Sequence, residues 1–122
     1  KYLNNIDGIK LNPKSENYKS VYWLICVELL NLSEIERDNI MVTLNEKHID
    51  SRPYFYPISE MPMYTKVNTP VTKLISQRGI NLPSYFDITQ DQVQYICNEL
   101  KKLISYALIA LTYQHYLGLM LS

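Results

Sequence analysis

The chain has 122 residues, a length that suits one domain, and its 47% hydrophobic and 20% charged content is that of a globular protein. Its formal net charge is zero, so it has no overall basic field that would attract nucleic acid or an anionic membrane. Three widely spaced glycines and two cysteines outside any CxxC pair exclude a glycine-rich phosphate loop and a zinc motif.

The first part of the chain predicts a strand followed by a helix. Residues 1–18 are polar and irregular, and Pro13 opposes a helix there. Residues 21–29 alternate with period two and are apolar on both sides, which predicts a central strand with Trp23 in the core. Ser33 and Glu36 have the spacing of a capping box, so a helix is expected from Ser33 to near the surface residue His48. The buried stripe of that helix is predicted to be Ile40, Met41 and Leu44.

Residues 52–64 are the most unusual segment, with three prolines and four aromatic side chains. A short strand over residues 49–53 is predicted to lead into it. The prolines exclude a helix interior, and so many rings are not expected to be left in water. The pattern therefore predicts a stiff, extended and partly buried segment. Such a segment can form one wall of a binding site, or it can be a rigid connector packed on the core.

The second half predicts two more helices. Thr69 caps a helix that begins at Pro70, turns Val71, Leu74 and Ile75 inward, and stops at a left-handed Gly79. After a short extended piece, residues 80–83, a second capping box opens a helix with apolar residues at helical spacing up to residue 104. The capping-box residues are Thr89 and Gln92.

The order of elements predicts an α+β domain over residues 1–104, with a small, mostly antiparallel sheet and helices packed on one face. Residues 105–122 form a separate apolar extension, predicted to be helical. It is shorter than the roughly 20 residues of a membrane span, and it contains Gln114 and His115. A helix that docks on a partner surface, or a non-native tail, is therefore favoured over a span. The cysteines, Cys26 and Cys97, lie in apolar patterns typical of reduced core thiols, which favours a cytoplasmic protein.

Several motifs, in order, resemble the C-terminal domain of the DegT/StrS nucleotide-sugar aminotransferases, which are pyridoxal-phosphate enzymes of fold type I. The resemblance covers about residues 18–104. At one position, where the family often has a histidine after the Tyr-Pro pair, this chain has Ser59. The matching runs are Arg52-Pro53-Tyr54-Phe55-Tyr56-Pro57, Pro62-Met63-Tyr64, Gly79-Ile80-Asn81-Leu82-Pro83-Ser84, and Thr89 followed by Tyr95-Ile96-Cys97.

The resemblance implies an enzyme that transfers an amino group from glutamate to a keto-sugar nucleotide, such as a 4-keto-6-deoxy hexose. It also implies a homodimer with active sites at the subunit interface. In relatives a large domain supplies the Schiff-base lysine and the phosphate site, and this chain does not contain that domain. The chain also begins without Met, which is consistent with a fragment. Its lysines lie in polar contexts, so the chain alone is expected to bind no cofactor and to be inactive. The alternative is a stand-alone, non-catalytic binding or oligomerisation module derived from the same domain.

Four residues are substrate-site candidates by resemblance, each with a structural alternative. Arg52 would bind a phosphate or carboxylate as a bidentate donor, or pair with Asp50. Tyr56 would pack on the hexose or donate to the pyrophosphate, or be a core tyrosine. Ser59 replaces the family histidine, or is a turn residue. Tyr64 would line the nucleotide side, or be a surface ring.

Overall fold

A computed structural model describes residues 2–12 and 14–121 of the chain. Lys1, Ser122 and Pro13, the residue predicted to oppose an early helix, lie outside the described residues. The elements in chain order are β1 (Ile9–Leu11), β2 (Ile25–Leu29), α1 (Glu34–Glu46), β3 (Arg52–Pro53), a single 3-10 turn (Ile58–Glu60), α2 (Pro70–Arg78), β4 (Gly79–Leu82) and α3 (Gln90–Met120).

The four strands form one antiparallel sheet in the order β1-β2-β4-β3. Val27 pairs with Ile80 and Ile25 pairs with Leu82, so these four side chains share one face of the sheet. α1 and α3 supply the residues that pack with this face in the core. The predicted α+β class, the small antiparallel sheet and the central position of β2 are confirmed. The fully buried side chains at the centre are Val27, Leu29, Leu44, Ile80, Leu100 and Ile104.

Both predicted capping boxes are present. Ser33 accepts a hydrogen bond from the Glu36 backbone while the Glu36 carboxylate accepts from the Ser33 backbone, and Thr89 and Gln92 do the same at the start of α3. Each box satisfies backbone donors that the first helical turn leaves unpaired. Local sequence alone therefore sets where α1 and α3 begin.

Several predictions about burial and conformation are wrong. Trp23 is 72% exposed and residues 21–24 are not strand, because β2 begins at Ile25. Val71 and Leu74 are exposed. Gly79 is not a left-handed stop: its φ of −97° and ψ of 140° make it the first extended residue of β4. In addition, β1 lies in the stretch that was predicted to be irregular.

Helix α3 is continuous through the predicted boundary after residue 104, and the extension to Met120 is helical as expected. The division into two units at that residue stays a prediction. Within residues 2–12 and 14–121, no helix is both long enough and apolar enough to cross a membrane.

Candidate functional site

The proline-aromatic segment, residues 52–64, is attached to the sheet at its first three residues. The Tyr54 backbone N–H donates to the Gly79 carbonyl at 3.0 Å. The Asn81 side-chain amide donates to the Pro53 carbonyl at 3.2 Å and accepts from the Cys26 thiol at 3.3 Å. The segment therefore leaves β3 in a direction that the central strands determine.

The Tyr54 ring lies against the backbone of Gly79. A Cβ atom added at Gly79 would come within less than 3.0 Å of several ring atoms of Tyr54. Burial, and next the neighbouring Cys26 thiol, raise the pKa of the Tyr54 hydroxyl above its usual range, so this ring stays neutral at physiological pH. The glycine is therefore required here by close packing and not by backbone conformation.

The middle of the segment is joined to the first turn of α2. Pro57 precedes the 3-10 turn and accepts a hydrogen bond from the Glu60 backbone at 3.0 Å. The Ser59 and Thr69 hydroxyls lie 2.6 Å apart, and the Glu60 carboxylate pairs with the Lys73 ammonium at 3.2 Å. Thr69 consequently makes no side-chain cap on α2, although it occupies the predicted cap position.

Two of the four candidate residues, Tyr56 and Ser59, line one polar cleft of about 500 Å³ between the segment and the start of α2. The sequence predicts that Lys66 and Lys73 are solvated surface lysines. Both are exposed, but both belong to this cleft. The one feature of the sequence that could have placed a lysine in this cleft is the position of Lys73, one helical turn after Thr69. The other lining residues are Glu60, Val67, Asn68, Thr69 and Pro70.

Arg52 and Tyr64 are not brought to that cleft. Arg52 lines a separate cleft of about 720 Å³ and pairs with Asp50 at 3.0 Å, with both side chains exposed. Such an exposed pair contributes little to stability, so the guanidinium is free to change partner. Tyr64 is about half exposed, and its backbone N–H closes a turn on Met61 at 3.1 Å. Tyr56 and Ser59 therefore share one cleft, whereas Arg52 and Tyr64 lie outside it.

The aromatic rings of the segment are less buried than the sequence predicted. The Tyr54 ring is half-buried and Pro57 is buried, whereas the rings of Phe55, Tyr56 and Tyr64 are exposed. The centroid of the Phe55 ring lies 6.3 Å from that of the exposed Trp23 ring. Clustered exposed rings are typical of a surface that another protein region or a ligand covers.

The lysines that the structure describes lie at or near the surface. A Schiff-base lysine needs a desolvated amine, and none of the described lysines is buried. Lys47 is 39% exposed, and its ammonium pairs with Glu99 at 2.9 Å, which raises the pKa of Lys47. Nor does the described part of the chain contain a cluster of three His, Cys, Asp or Glu side chains that could hold a metal ion.

The fold is that of an aminotransferase domain. It is shared with TlmJ from Streptoalloteichus hindustanus, with a TM-score of 0.76 and 16% identity over 87% of this chain and 29% of that one. It is also shared with DesI solved in the presence of its TDP-sugar product, with a TM-score of 0.74 and 19% identity over 94% of this chain and 30% of that one. Spr1654 from Streptococcus pneumoniae in its PLP form also shares the fold, with a TM-score of 0.70 and 21% identity over 81% of this chain and 27% of that one.

Residues 1–101 match the model of the DegT/DnrJ/EryC1/StrS aminotransferase family, and the chain belongs to that family. It is similar to GDP-perosamine synthase of Vibrio cholerae, at 37% identity over 82% of this chain and 29% of the relative. It is likewise similar to the GDP-perosamine synthase of Escherichia coli O157:H7, at 34% identity over 85% of this chain and 29% of the relative. The chain thus spans less than a third of the length of these relatives.

Proposed function

We propose that the chain acts as the C-terminal part of a pyridoxal-phosphate-dependent aminotransferase that moves an amino group from glutamate to a keto-sugar nucleotide. In this proposal it contributes contacts to the sugar nucleotide, and the remainder of the enzyme binds the cofactor. The homodimer and the cytoplasmic location expected from the resemblance belong to the same proposal. Support comes from the family membership and from relatives named for a GDP-sugar product and solved with a TDP-sugar.

The polar cleft beside the 3-10 turn is the observation on which the proposal rests. It places the Tyr56 ring and the Ser59 hydroxyl beside the two cationic side chains of Lys66 and Lys73, and the proposed role of Thr69 is to hold Ser59 through their hydrogen bond. Hydroxyls and an aromatic ring suit a hexose, and ammonium groups suit a diphosphate. Arg52 and Tyr64 lie outside this cleft, and they are proposed to contact a phosphate or carboxylate and the nucleotide side of the substrate, respectively.

The cofactor enters only through the rest of the enzyme. Pyridoxal phosphate supplies the electron sink for transamination when it is bound. Because no described lysine is buried, the proposed role of this chain is to orient the sugar nucleotide and to exclude water on its side. Purified chain mixed with pyridoxal phosphate and a nucleotide sugar should accordingly show no cofactor absorbance shift, and transamination by the chain alone would contradict this assignment.

A chimera tests the function directly. The chain replaces the matching C-terminal segment of the 37% identical relative from Vibrio cholerae, and the two half-reactions are followed separately by cofactor absorbance. Tyr56→Phe and Ser59→Ala are expected to slow the sugar-nucleotide half by about fivefold to tenfold, the effect of one lost hydrogen bond. The glutamate half should change by less than about twofold.

Thr69→Val is the matched control for Ser59→Ala, because it breaks the same 2.6 Å contact and leaves the Ser59 hydroxyl in place. If Ser59 only holds the turn against α2, both variants will behave alike and the substrate role is refuted. A folded chimera that binds the cofactor and reacts with glutamate, yet never with a keto-sugar nucleotide, would instead favour the non-catalytic module.

A further inference from the structure

The two lysines of the polar cleft differ in their partners. Lys73, on α2, pairs its ammonium with the Glu60 carboxylate of the 3-10 turn at 3.2 Å. Lys66 belongs to the loop between the proline-aromatic segment and α2, and no carboxylate of the described residues forms an ion pair with it. Glu60 is the only acidic residue among the described residues that line the cleft. The cleft therefore holds one neutral ion pair and one unpaired cation.

The ion pair is accessible to a ligand in the cleft. The Lys73 side chain is 54% exposed and the Glu60 side chain is 30% exposed. One carboxylate oxygen of Glu60 pairs with Lys73, while the other accepts no hydrogen bond from the described residues. The Ser59 hydroxyl, on the neighbouring residue, lies 2.6 Å from that of Thr69. A free carboxylate oxygen, an ammonium and a hydroxyl can together accept from and donate to the hydroxyl groups of a sugar.

We propose that Glu60 determines the orientation of a sugar nucleotide in this cleft. By neutralising Lys73, it leaves Lys66 to bind the diphosphate and makes the ion pair a site for the hydroxyls of the sugar. This inference rests on the proposed function, in which the cleft binds a sugar nucleotide, and it assigns different ligand groups to the two lysines.

Like-charge repulsion is the reason why the diphosphate is not expected at Lys73. A phosphate placed there would stand beside the Glu60 carboxylate, and two negative charges at such short range repel each other. An exposed ion pair is weak, so this repulsion, rather than the strength of the pair, keeps the phosphate away. At Lys66 no paired carboxylate opposes the ligand.

The groups suited to the sugar also lie in one part of the chain. Tyr56, Ser59 and Glu60 are close neighbours in the segment, and the Tyr56 ring is 60% exposed, so it can pack against the apolar face of a hexose. The turn that Tyr64 closes on Met61 then separates them along the chain from Lys66. Sugar-binding and phosphate-binding groups of the cleft thus come from different stretches of the sequence.

Isothermal titration calorimetry of the full chain tests the proposal, with GDP and GDP-mannose as the two probes. Lys66→Met should weaken the binding of both by about fivefold to tenfold, the effect of one lost charge-assisted hydrogen bond. Lys19→Met is the matched control, because it removes the same charge at an exposed position outside the cleft. It should leave both affinities unchanged.

Removing the ion pair as a whole separates the two roles. Glu60→Ala combined with Lys73→Met eliminates both charges, so GDP affinity should change by less than about twofold. GDP-mannose loses the contacts to its sugar and should bind about fivefold more weakly. Glu60→Gln alone frees the Lys73 ammonium and should tighten GDP binding by about threefold to fivefold. Circular dichroism and urea denaturation check that each variant stays folded, as expected for an exposed ion pair.

A double variant that loses as much GDP affinity as Lys66→Met would show that Lys73 binds the phosphate, and it would overturn the proposal. Unchanged GDP binding in Glu60→Gln, or no binding of GDP to the unsubstituted chain, would overturn it as well. These affinities are separate from transamination by the chimera. An active chimera in which the two lysines prove equivalent refutes only the role of Glu60, whereas a chimera inactive on keto-sugar nucleotides refutes the proposed function, whatever the affinities are.

Discussion

Replacing Gly79 with alanine is the sharpest test of how the proline-aromatic segment is held. The backbone at Gly79 is ordinary extended strand, so alanine faces no conformational strain there. On backbone entropy alone, Gly79→Ala should stabilise the fold by about 0.4–1 kcal/mol. The Tyr54 ring reverses this expectation, since the new Cβ would overlap ring atoms close to the root of that side chain.

The size of the effect follows from how little the ring can move. Tyr54 is half-buried, its backbone is hydrogen-bonded to Gly79, and its hydroxyl lies beside the Cys26 thiol. Overpacking of this kind costs about 1–3 kcal/mol. We therefore expect Gly79→Ala to lower the free energy of unfolding by about 2 kcal/mol in urea denaturation, with an unchanged m-value.

A double-mutant cycle isolates the contact. Tyr54→Ala removes the ring, so adding Gly79→Ala to it should then cost little or even stabilise, giving a coupling energy of at least about 1 kcal/mol. Stabilisation by Gly79→Ala in the presence of Tyr54, or equal costs with and without the ring, would refute the packing argument.

Two further predictions concern α3. The Glu99 carboxylate is nearly buried and is paired with Lys102 and Lys47, and these contacts lower the pKa of Glu99 below its ordinary 4.5. The stabilisation from this pairing is present above pH 4.5 and is lost as the pH falls through the lowered pKa, so the unfolding free energy of Glu99→Gln should fall less steeply on acidification than that of the unsubstituted chain. Parallel curves of unfolding free energy against pH would contradict the pairing. Leu100→Ala, at a fully buried position, should cost about 2–5 kcal/mol in urea denaturation, whereas a loss below about 1 kcal/mol would mean that Leu100 is not at the centre of the core.

Features set by a few neighbouring residues were predictable from the sequence. The capping boxes at Ser33 and Thr89 fixed the starts of α1 and α3 because the groups they satisfy lie within one turn. The apolar run before Ser33 indicated a central strand for the same local reason, a period of two. The motif resemblance added the family, which the comparison of residues 1–101 confirmed.

Features that depend on distant partners were not predictable in this way. Strand β1 contains only three residues, and it is strand because it pairs with β2. Thr69 stands at the position of a helix cap, but its hydroxyl is hydrogen-bonded to that of Ser59, ten residues earlier. Arg37 belongs to no apolar stripe, yet it is buried and donates to the carbonyls of Ser76 and Gly79.

The sequence by itself determined the α+β class, the helix starts, the family and the unusual segment at residues 52–64. Only the tertiary structure decided that this segment is held by Tyr54 against Gly79, that Tyr56 and Ser59 share a cleft with Lys66 and Lys73, and that Arg52 does not. Hydrogen-bond caps and periodicity act within one turn or a few residues, so a linear pattern records them. Burial and clefts arise between segments far apart in the chain, and their geometry exists only once the sheet has paired.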